Sequence, residues 1–168
     1  EIKNMSEFDY GLVKNPEFFK ENVWKAHSAH SFFANKGELM NVSSLSSCMD
    51  GVWKFNYATN LNNAIKGFES LDYDCDSWNS IRVPAHIQME GHDVPQYANV
   101  QYPWDGREEV EQTQVPTHFN PVAQYVKYFT VPEHMKGKEL HMCFEGVESG
   151  FVLWINGKYV GYSEDSFT

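Results

Sequence analysis

The chain has 168 residues, enough for one ordinary domain with a sizeable hydrophobic core. Hydrophobic residues make up 42% of it and aromatic residues 15%, which excludes a disordered chain and favours β-sheets, in which large flat side chains pack well. The formal net charge of −10 argues against nucleic acid as a partner, because an acidic surface repels the phosphate backbone, and no apolar run is long enough to suggest a membrane helix.

Residues 1–45 are predicted to form an arm with one short helix that wraps the rest of the domain. The helix start is Asn15-Pro16-Glu17, because Asn can cap, Pro fits the first helical position and Glu suits the positive end of the helix dipole. We expect a helix from there to about Asn22, with Phe18 and Phe19 packed onto the body. The polar N-terminus has no signal-peptide core, and because the chain lacks a starting Met we expect it to be a processed or engineered piece.

Residues 46–168 show the alternation of apolar and polar side chains that is typical of short β-strands. Trp53, Phe55 and Tyr57 alternate with polar residues, and we assign Trp53 and Trp154 to the core. About six or seven strands with irregular connections and little helix are typical of a β-sandwich. The predicted strands lie at Ser46–Tyr57, Trp78–Val83, Tyr125–Val131, Leu140–Phe144, Phe151–Ile155 and Lys158–Ser163.

The last two of these strands are predicted to form a hairpin. Phe151–Ile155 is a continuous apolar run that suits a strand buried on both faces. Asn156-Gly157 follows, and both residue types tolerate the positive φ angles that a two-residue type I′ turn demands. The second strand then delivers Glu164 and Asp165 to the rim of the sheet, where a rigid scaffold can present chemistry.

A long irregular segment, His86–Arg107, is interrupted by Pro95 and Pro103 and fits few regular elements. Ordered loops of this length are usually functional, so we expect part of a site here. The cysteines, Cys48, Cys75 and Cys143, are odd in number and have no metal-binding spacing. We therefore expect them to be reduced and buried, which favours a cytoplasmic location.

Four blocks of the sequence stand out together: Asn15–Glu17, Gly51–Phe55, Val83–Pro103 and Phe144–Ser166. Their residues, order and spacing resemble the N-terminal sugar-binding domain of the glycoside hydrolase family 2 β-galactosidases. The resemblance covers most of the chain. The part at Tyr97–Pro103 separates β-galactosidases from the related β-glucuronidases and β-mannosidases.

The resemblance implies an all-β, jelly-roll β-sandwich of the galactose-binding-like class over residues 46–168. The family pattern continues past Thr168, so we expect the domain to be truncated at its C-terminal strands. The parent would be a retaining hydrolase of terminal β-D-galactosides, with its acid/base and nucleophile glutamates on a later (β/α)8 barrel. Retaining hydrolysis needs two carboxyl groups about 5 Å apart, so no catalytic residue is assigned here and this chain alone should be inactive.

Within the chain, the resemblance assigns substrate contacts to Asn99 and Asp165, with Val100 as a further lining residue. It also implies that Asp165 can ligate a sodium ion beside the sugar. Residue chemistry alone also allows purely local roles: Asp165 could bond its own backbone in a turn, and Asn99 could form a loop-fixing Asx turn. Trp104 could stack on a sugar ring or pack against a neighbouring domain.

The implied partners are a galactoside substrate, the barrel and other domains of the same chain, and further copies of a homo-oligomeric parent. The resemblance allows sodium at the substrate site and magnesium in the barrel domain, and it assigns no cofactor firmly to this chain. Two other functions stay open: a free-standing carbohydrate-binding module, and a structural or interface domain without a catalytic role.

Overall fold

The computed structural model describes residues 7–28, 30–95, 99–112 and 114–166. These residues form two compact units. The first unit holds the described residues of Glu1–Phe18, Asp50–Lys127 and Trp154–Tyr159. The second unit holds those of Phe19–Met49, Tyr128–Leu153 and Val160–Thr168.

The described residues are all-β, with six strands in two antiparallel three-stranded sheets. The strands are β1 (Lys20–Glu21), β2 (Gly51–Ala58), β3 (Asn79–Val83), β4 (Val122–Val126), β5 (Phe151–Ile155) and β6 (Lys158–Ser163). Short 3-10 helices lie at Tyr10–Lys14, Lys36–Glu38, Ile87–Glu90 and Glu133–Met135. This confirms the predicted fold class, since a β-sandwich domain is built from two such sheets. None of the helices in the described ranges could cross a lipid bilayer.

Strand β2 is the centre of the first sheet, whose order is β3-β2-β4. Trp53 of β2 lies opposite Ile81 of β3, and Phe55 of β2 lies opposite Tyr125 of β4. Phe55 is completely buried, and its ring centroid is 5.0 Å from that of Tyr125 in an edge-to-face arrangement. The apolar face predicted from the alternation along β2 therefore carries the core of the first unit.

Gln124 of β4 is a buried polar residue, and its side-chain amide makes three hydrogen bonds. Its oxygen accepts the side-chain N–H of Asn56 at 2.9 Å and the backbone N–H of Ile65 at 2.9 Å. Its nitrogen donates to the Ile65 carbonyl at 2.7 Å. The residue thereby joins two neighbouring strands to the segment that follows β2.

The hairpin of β5 and β6 forms as the sequence predicts, with the predicted bounds for both strands. Asn156 and Gly157 have φ angles of 52° and 74°, the left-handed values that a type I′ turn requires. One detail of the prediction is wrong: Phe151–Ile155 is half-buried along its whole length rather than fully buried. An aromatic contact of 4.8 Å between Phe144 and Phe151 covers part of it.

The second sheet has the order β1-β6-β5 and depends on a close approach at Gly161. Glu21 of β1 pairs with Tyr162 of β6, and Lys20 pairs with Ser163. A Cβ atom at residue 161 would lie only 2.8 Å from the carbonyl oxygen of Glu21. Glycine is therefore required for β1 to reach β6.

The helix predicted from Asn15 to about Asn22 is wrong. The side chain of Asn15 does accept the N–H of Glu17, at 3.0 Å, and Phe18 donates to the Asn15 carbonyl, but only one turn forms. The chain then extends into β1, because pairing with β6 satisfies its backbone groups better than a short exposed helix would. Phe19 stays 46% exposed instead of packing onto the body.

Three strand predictions need correction. No strand forms at Leu140–Phe144, all of which is described. The first predicted strand starts at Gly51 rather than Ser46, and the strand expected at Tyr125–Val131 is shifted to Val122–Val126. The bounds of these two strands are set by the pairing of β2 with β3 and β4. The alternation of apolar and polar residues does not show which residues pair.

Two burial predictions also fail in part. Cys75 is buried, but Cys48 and Cys143 are exposed, and none of the three forms a disulfide. Trp53 and Trp154 are half-buried rather than fully in the core. The indole nitrogen of Trp154 is nevertheless buried and has no hydrogen-bond partner among the described residues.

Candidate functional site

The segment between β3 and β4 carries Asn99 and Val100, two of the three predicted substrate contacts. It leaves β3 through the 3-10 helix Ile87–Glu90, which ends at Gly91 with φ 90°. Both Asn99 and Val100 are exposed, Val100 by 86%, as residues that meet a ligand or a neighbouring domain must be before it binds. Their exposure is consistent with the predicted contact but does not test it.

The start of this segment is anchored on the central strand of the first sheet. The ring centroid of His92 lies 4.5 Å from that of Phe55 and 6.0 Å from that of Tyr57, with an angle of 29° between the His92 and Tyr57 rings. The next residue, Asp93, has φ 61°, a left-handed value that Asp tolerates better than most residues. Burial raises the pKa of the Tyr57 hydroxyl, and the charge of Asp93 raises it further.

Charges join the part of the segment before Asn99 to the part after it. Arg107 Nη1 lies 3.8 Å from Asp93 Oδ1, and the Asp93 side chain is only 8% exposed. The guanidinium carbon of Arg107 also lies 3.8 Å from the centroid of the Phe119 ring, which is a cation–π contact. The stretches before and after Asn99 therefore meet at Asp93 and Arg107 in the first unit.

Glu108 continues this arrangement. The backbone N–H groups of Thr117, His118 and Phe119 donate to its carboxylate at 2.8 to 3.0 Å. These bonds lower the pKa of the Glu108 carboxyl to about 2, and the bond from the Thr117 N–H has the largest effect. Desolvation acts in the opposite direction. The ionised carboxylate thus holds the backbone of Thr117, His118 and Phe119 against Glu108.

A turn in the same segment forms one wall of a groove of about 630 Å³. Asp105 accepts the N–H of Tyr102 at 2.9 Å, and the rings of Tyr102 and Trp104 stack with centroids 4.9 Å apart. The lining residues are aromatic, acidic and amide-bearing: Tyr102, Trp104, Asp105, Glu108, Glu109 and Gln112 are among them. The stacking fixes Trp104 at this wall, and its two predicted roles stay predictions.

Asp165, the third predicted contact, follows β6 in the second unit and is exposed. The turn that presents it is closed by Ser163, whose hydroxyl accepts the N–H of Asp165 at 3.3 Å. Glu164 is held on both sides, because its N–H donates to the Phe19 carbonyl at 2.9 Å and its carboxylate accepts the Tyr162 hydroxyl. Asp165 therefore lies directly after a well-anchored residue, as the sequence predicts from the hairpin.

The predicted contacts belong to different units, Asn99 and Val100 to the first and Asp165 to the second. Their joint action on one sugar stays a prediction. Sequence reasoning missed Asp93, Arg107 and Glu108, which support the segment that bears Asn99. Opposite charges at the two ends of a long loop were the only signal, and such pairs are common in sequences without being in contact.

No group of three or more His, Cys, Asp or Glu residues is placed to hold a metal ion within the described ranges. The predicted sodium site does not need such a cluster, because it takes one carboxylate from this chain and its other ligands from outside the chain. Asp165 fits as one such ligand, because its exposed carboxylate supplies the hard oxygen atoms that such a cation prefers. The remaining ligands are not identified by this chain.

Comparison with known proteins gives a family match over most of the chain. The family described as "Glycosyl hydrolases family 2, sugar binding domain" matches residues 46–168. The matched range contains five of the six strands and all three predicted contacts.

Curated relatives match almost the whole chain. A β-galactosidase of Halalkalibacterium halodurans is 42% identical over 93% of this chain, and one of Streptococcus thermophilus is 40% identical over 98%. A β-galactosidase of Priestia megaterium is 43% identical over 92% of it. The aligned part covers 16%, 16% and 15% of these relatives, so the chain spans about one sixth of their length.

Proposed function

This chain belongs to the family of glycosyl hydrolase family 2 sugar-binding domains, and we propose that it is the N-terminal sugar-binding domain of a β-galactosidase. In this proposal it orients the terminal galactosyl unit of a β-D-galactoside for a catalytic centre elsewhere in the parent enzyme. The observation that carries it is the exposed Asp165 at the anchored exit of β6, in a chain that aligns with β-galactosidases over 92% to 98% of its length.

Asp165 has the chemistry for the role. An ionised carboxylate can accept two hydrogen bonds from neighbouring sugar hydroxyls, and such charge-assisted bonds are shorter and stronger than neutral ones. The same oxygens can share a sodium ion, which would add positive charge beside the sugar hydroxyls. The anchoring of Glu164 supports this role, because a group must be held in place before substrate binds if it is to orient a hydroxyl.

Asn99 would act from its own unit. Its side-chain amide offers both a donor and an acceptor, which matches a hydroxyl that needs both. Val100 beside it is 86% exposed and could cover an apolar C–H patch of the sugar ring. Asn99 and Val100 would therefore help to bind and orient the sugar and would take no part in bond cleavage.

Bond cleavage would come from the rest of the parent. A pair of carboxyl groups about 5 Å apart on a (β/α)8 barrel would supply acid/base and nucleophile, with magnesium allowed in that domain. We propose that the parent is a homo-oligomer and is cytoplasmic, a compartment in which the three cysteines would be kept reduced.

The test is Asp165→Ala in the full-length enzyme. We expect kcat/KM on a galactoside to fall roughly 10- to 150-fold, the loss that follows removal of a hydrogen bond to a charged group. Asp72→Ala is the matched control, because Asp72 is an exposed aspartate in a loop of the first unit and has no assigned role. An Asp165→Ala enzyme with unchanged kcat/KM would contradict the proposal.

A further inference from the structure

We infer that Asp93 and Arg107 are positioning residues that clasp the base of the loop containing Asn99. The loop is defined here as the described residues between Asp93 and Arg107. The inference rests on the proposed role of Asn99 in sugar binding and adds how that residue is held.

The clasp is a partly buried ion pair. Arg107 Nη1 lies 3.8 Å from Asp93 Oδ1, with the Asp93 side chain 8% exposed and that of Arg107 35% exposed. Because one partner is buried, this pair is screened less than a pair of two exposed charges, so it can hold two loop ends together. Asn99 lies between the two residues in sequence, and their contact therefore closes the loop that carries it.

One end of the clasp is attached to the first sheet, and the other packs on Phe119, which lies shortly before β4. On one side, His92 packs against Phe55, which is completely buried in the central strand β2. On the other side, Arg107 lies over the ring of Phe119 at 3.8 Å.

The segment under Arg107 is itself hydrogen-bonded to the two residues that follow β2. Asn120 donates its backbone N–H to the Thr59 carbonyl at 3.0 Å, and the Asn60 side chain donates to the His118 carbonyl at 2.9 Å. Glu108 bonds three successive N–H groups of the same segment. One end of the Asn99 loop thus rests on β2, and the other rests on a segment that is hydrogen-bonded to the residues directly after β2.

The loop also has internal order between Asn99 and Arg107. Asp105 accepts the Tyr102 N–H and donates its own N–H to the Tyr102 carbonyl at 3.0 Å, and Arg107 donates to the Trp104 carbonyl at 2.9 Å. A stiff turn on an anchored base transmits the position of the base to Asn99. Loosening the base would spread the positions of the Asn99 amide, and the substrate would then bear the entropy cost of ordering it.

The experiment uses the full-length enzyme and the variant Asp93→Asn. Asn tolerates the left-handed φ of 61° as well as Asp does, so this change removes the charge without adding backbone strain. We expect KM for a galactoside to rise roughly 3- to 30-fold with kcat little changed, as for a residue that acts through another. Arg107→Gln should behave in the same way, and Arg107→Lys, which keeps the charge, should recover most of the loss.

Two controls separate positioning from general loss of structure. Glu90→Gln removes a nearby exposed ion pair with Arg82, at 3.5 Å, and should leave KM unchanged. Hydrogen exchange should become faster at the N–H groups of Asp105 and Arg107 in Asp93→Asn, while exchange in β2 stays slow.

The decisive comparison is the double variant Asp93→Asn with Asn99→Ala. If the clasp acts through Asn99, adding Asp93→Asn to Asn99→Ala should raise KM little further. Multiplicative effects of the two changes would overturn the clasp while leaving the role of Asn99 intact. An Asn99→Ala enzyme with unchanged kcat/KM would overturn the proposed contact and this inference with it.

Discussion

The side-chain amide of Gln124 accepts the N–H of Ile65 at 2.9 Å and donates to the carbonyl of the same residue at 2.7 Å. Gln124 is 4% exposed and lies on β4, whereas Ile65 lies in the irregular segment after β2. The buried Gln124 side chain therefore bonds both backbone groups of Ile65, as a neighbouring strand would do in a sheet. These two bonds attach the irregular segment after β2 to the first sheet.

Gln124→Leu should destabilise that segment. The leucine leaves both backbone groups of Ile65 without their partner, and each buried polar group left unsatisfied costs about 1 to 3 kcal/mol. We expect hydrogen exchange at the Ile65 N–H to accelerate correspondingly in the full-length enzyme. Gln112→Leu, at an exposed position, is the control and should leave this rate unchanged.

Glu108 should make the loop that ends at Phe119 sensitive to acid. Its pKa of about 2 lies below the ordinary value of 4.5, so its contribution is complete above pH 4.5 and is lost as the pH falls toward 2. We expect hydrogen-exchange protection at Thr117, His118 and Phe119 to decline over that window. The decline should be absent in Glu108→Gln, which starts with lower protection, and unaltered in Glu109→Gln.

A protection profile at these three N–H groups that is the same in wild type and Glu108→Gln would contradict this prediction. It would mean that other contacts hold the loop. The exposed Glu109 is a suitable control, because it is the same residue type one position along the chain.

Gly161→Ala should separate β1 from β6. The added Cβ would lie 2.8 Å from the Glu21 carbonyl oxygen, and strand backbone cannot yield as a flexible side chain can. We expect a loss of about 1 to 3 kcal/mol, measured as faster hydrogen exchange at the Glu164 N–H, which donates to the Phe19 carbonyl directly before β1. Gly146→Ala is the matched control, because a Cβ there would meet nothing within 4 Å. Equal effects of the two substitutions would rule out the close approach as the cause.

Replacing sodium with a bulky organic cation should test the proposed ion at Asp165. In the full-length enzyme we expect KM for a galactoside to rise when sodium is removed, because the cation shares the carboxylate that orients the sugar. In Asp165→Asn the dependence on sodium should be much weaker, since a neutral amide binds the cation less well. An equally strong dependence in both enzymes would place the ion elsewhere.

The parts of the fold that the sequence predicted correctly are those decided locally. The hairpin formed with its predicted bounds because Asn156 and Gly157 can adopt positive φ angles and few other dipeptides can. Strand β1 was missed because its two residues are extended only through pairing with β6, which no local pattern reports. A capping motif at Asn15 could not compete with that long-range pairing.

The candidate site shows the same division. Asp165 could be predicted to follow an anchored strand, since the hairpin fixes where β6 ends. The contact of Asp93 with Arg107 could not be predicted, because it depends on one left-handed residue and on the packing of His92 against a buried strand. Periodicity and composition carry no information about where the two ends of a long loop meet.

A crystal structure of the full-length enzyme with galactose bound would test the proposed sugar contacts at the level of single atoms. We expect the Asp165 carboxylate and the Asn99 amide each to lie within hydrogen-bonding distance of a galactosyl hydroxyl, about 2.7 to 3.2 Å. A galactose that is bound in the catalytic centre with both side chains beyond hydrogen-bonding distance, and no ordered ion or water between, would contradict both assignments.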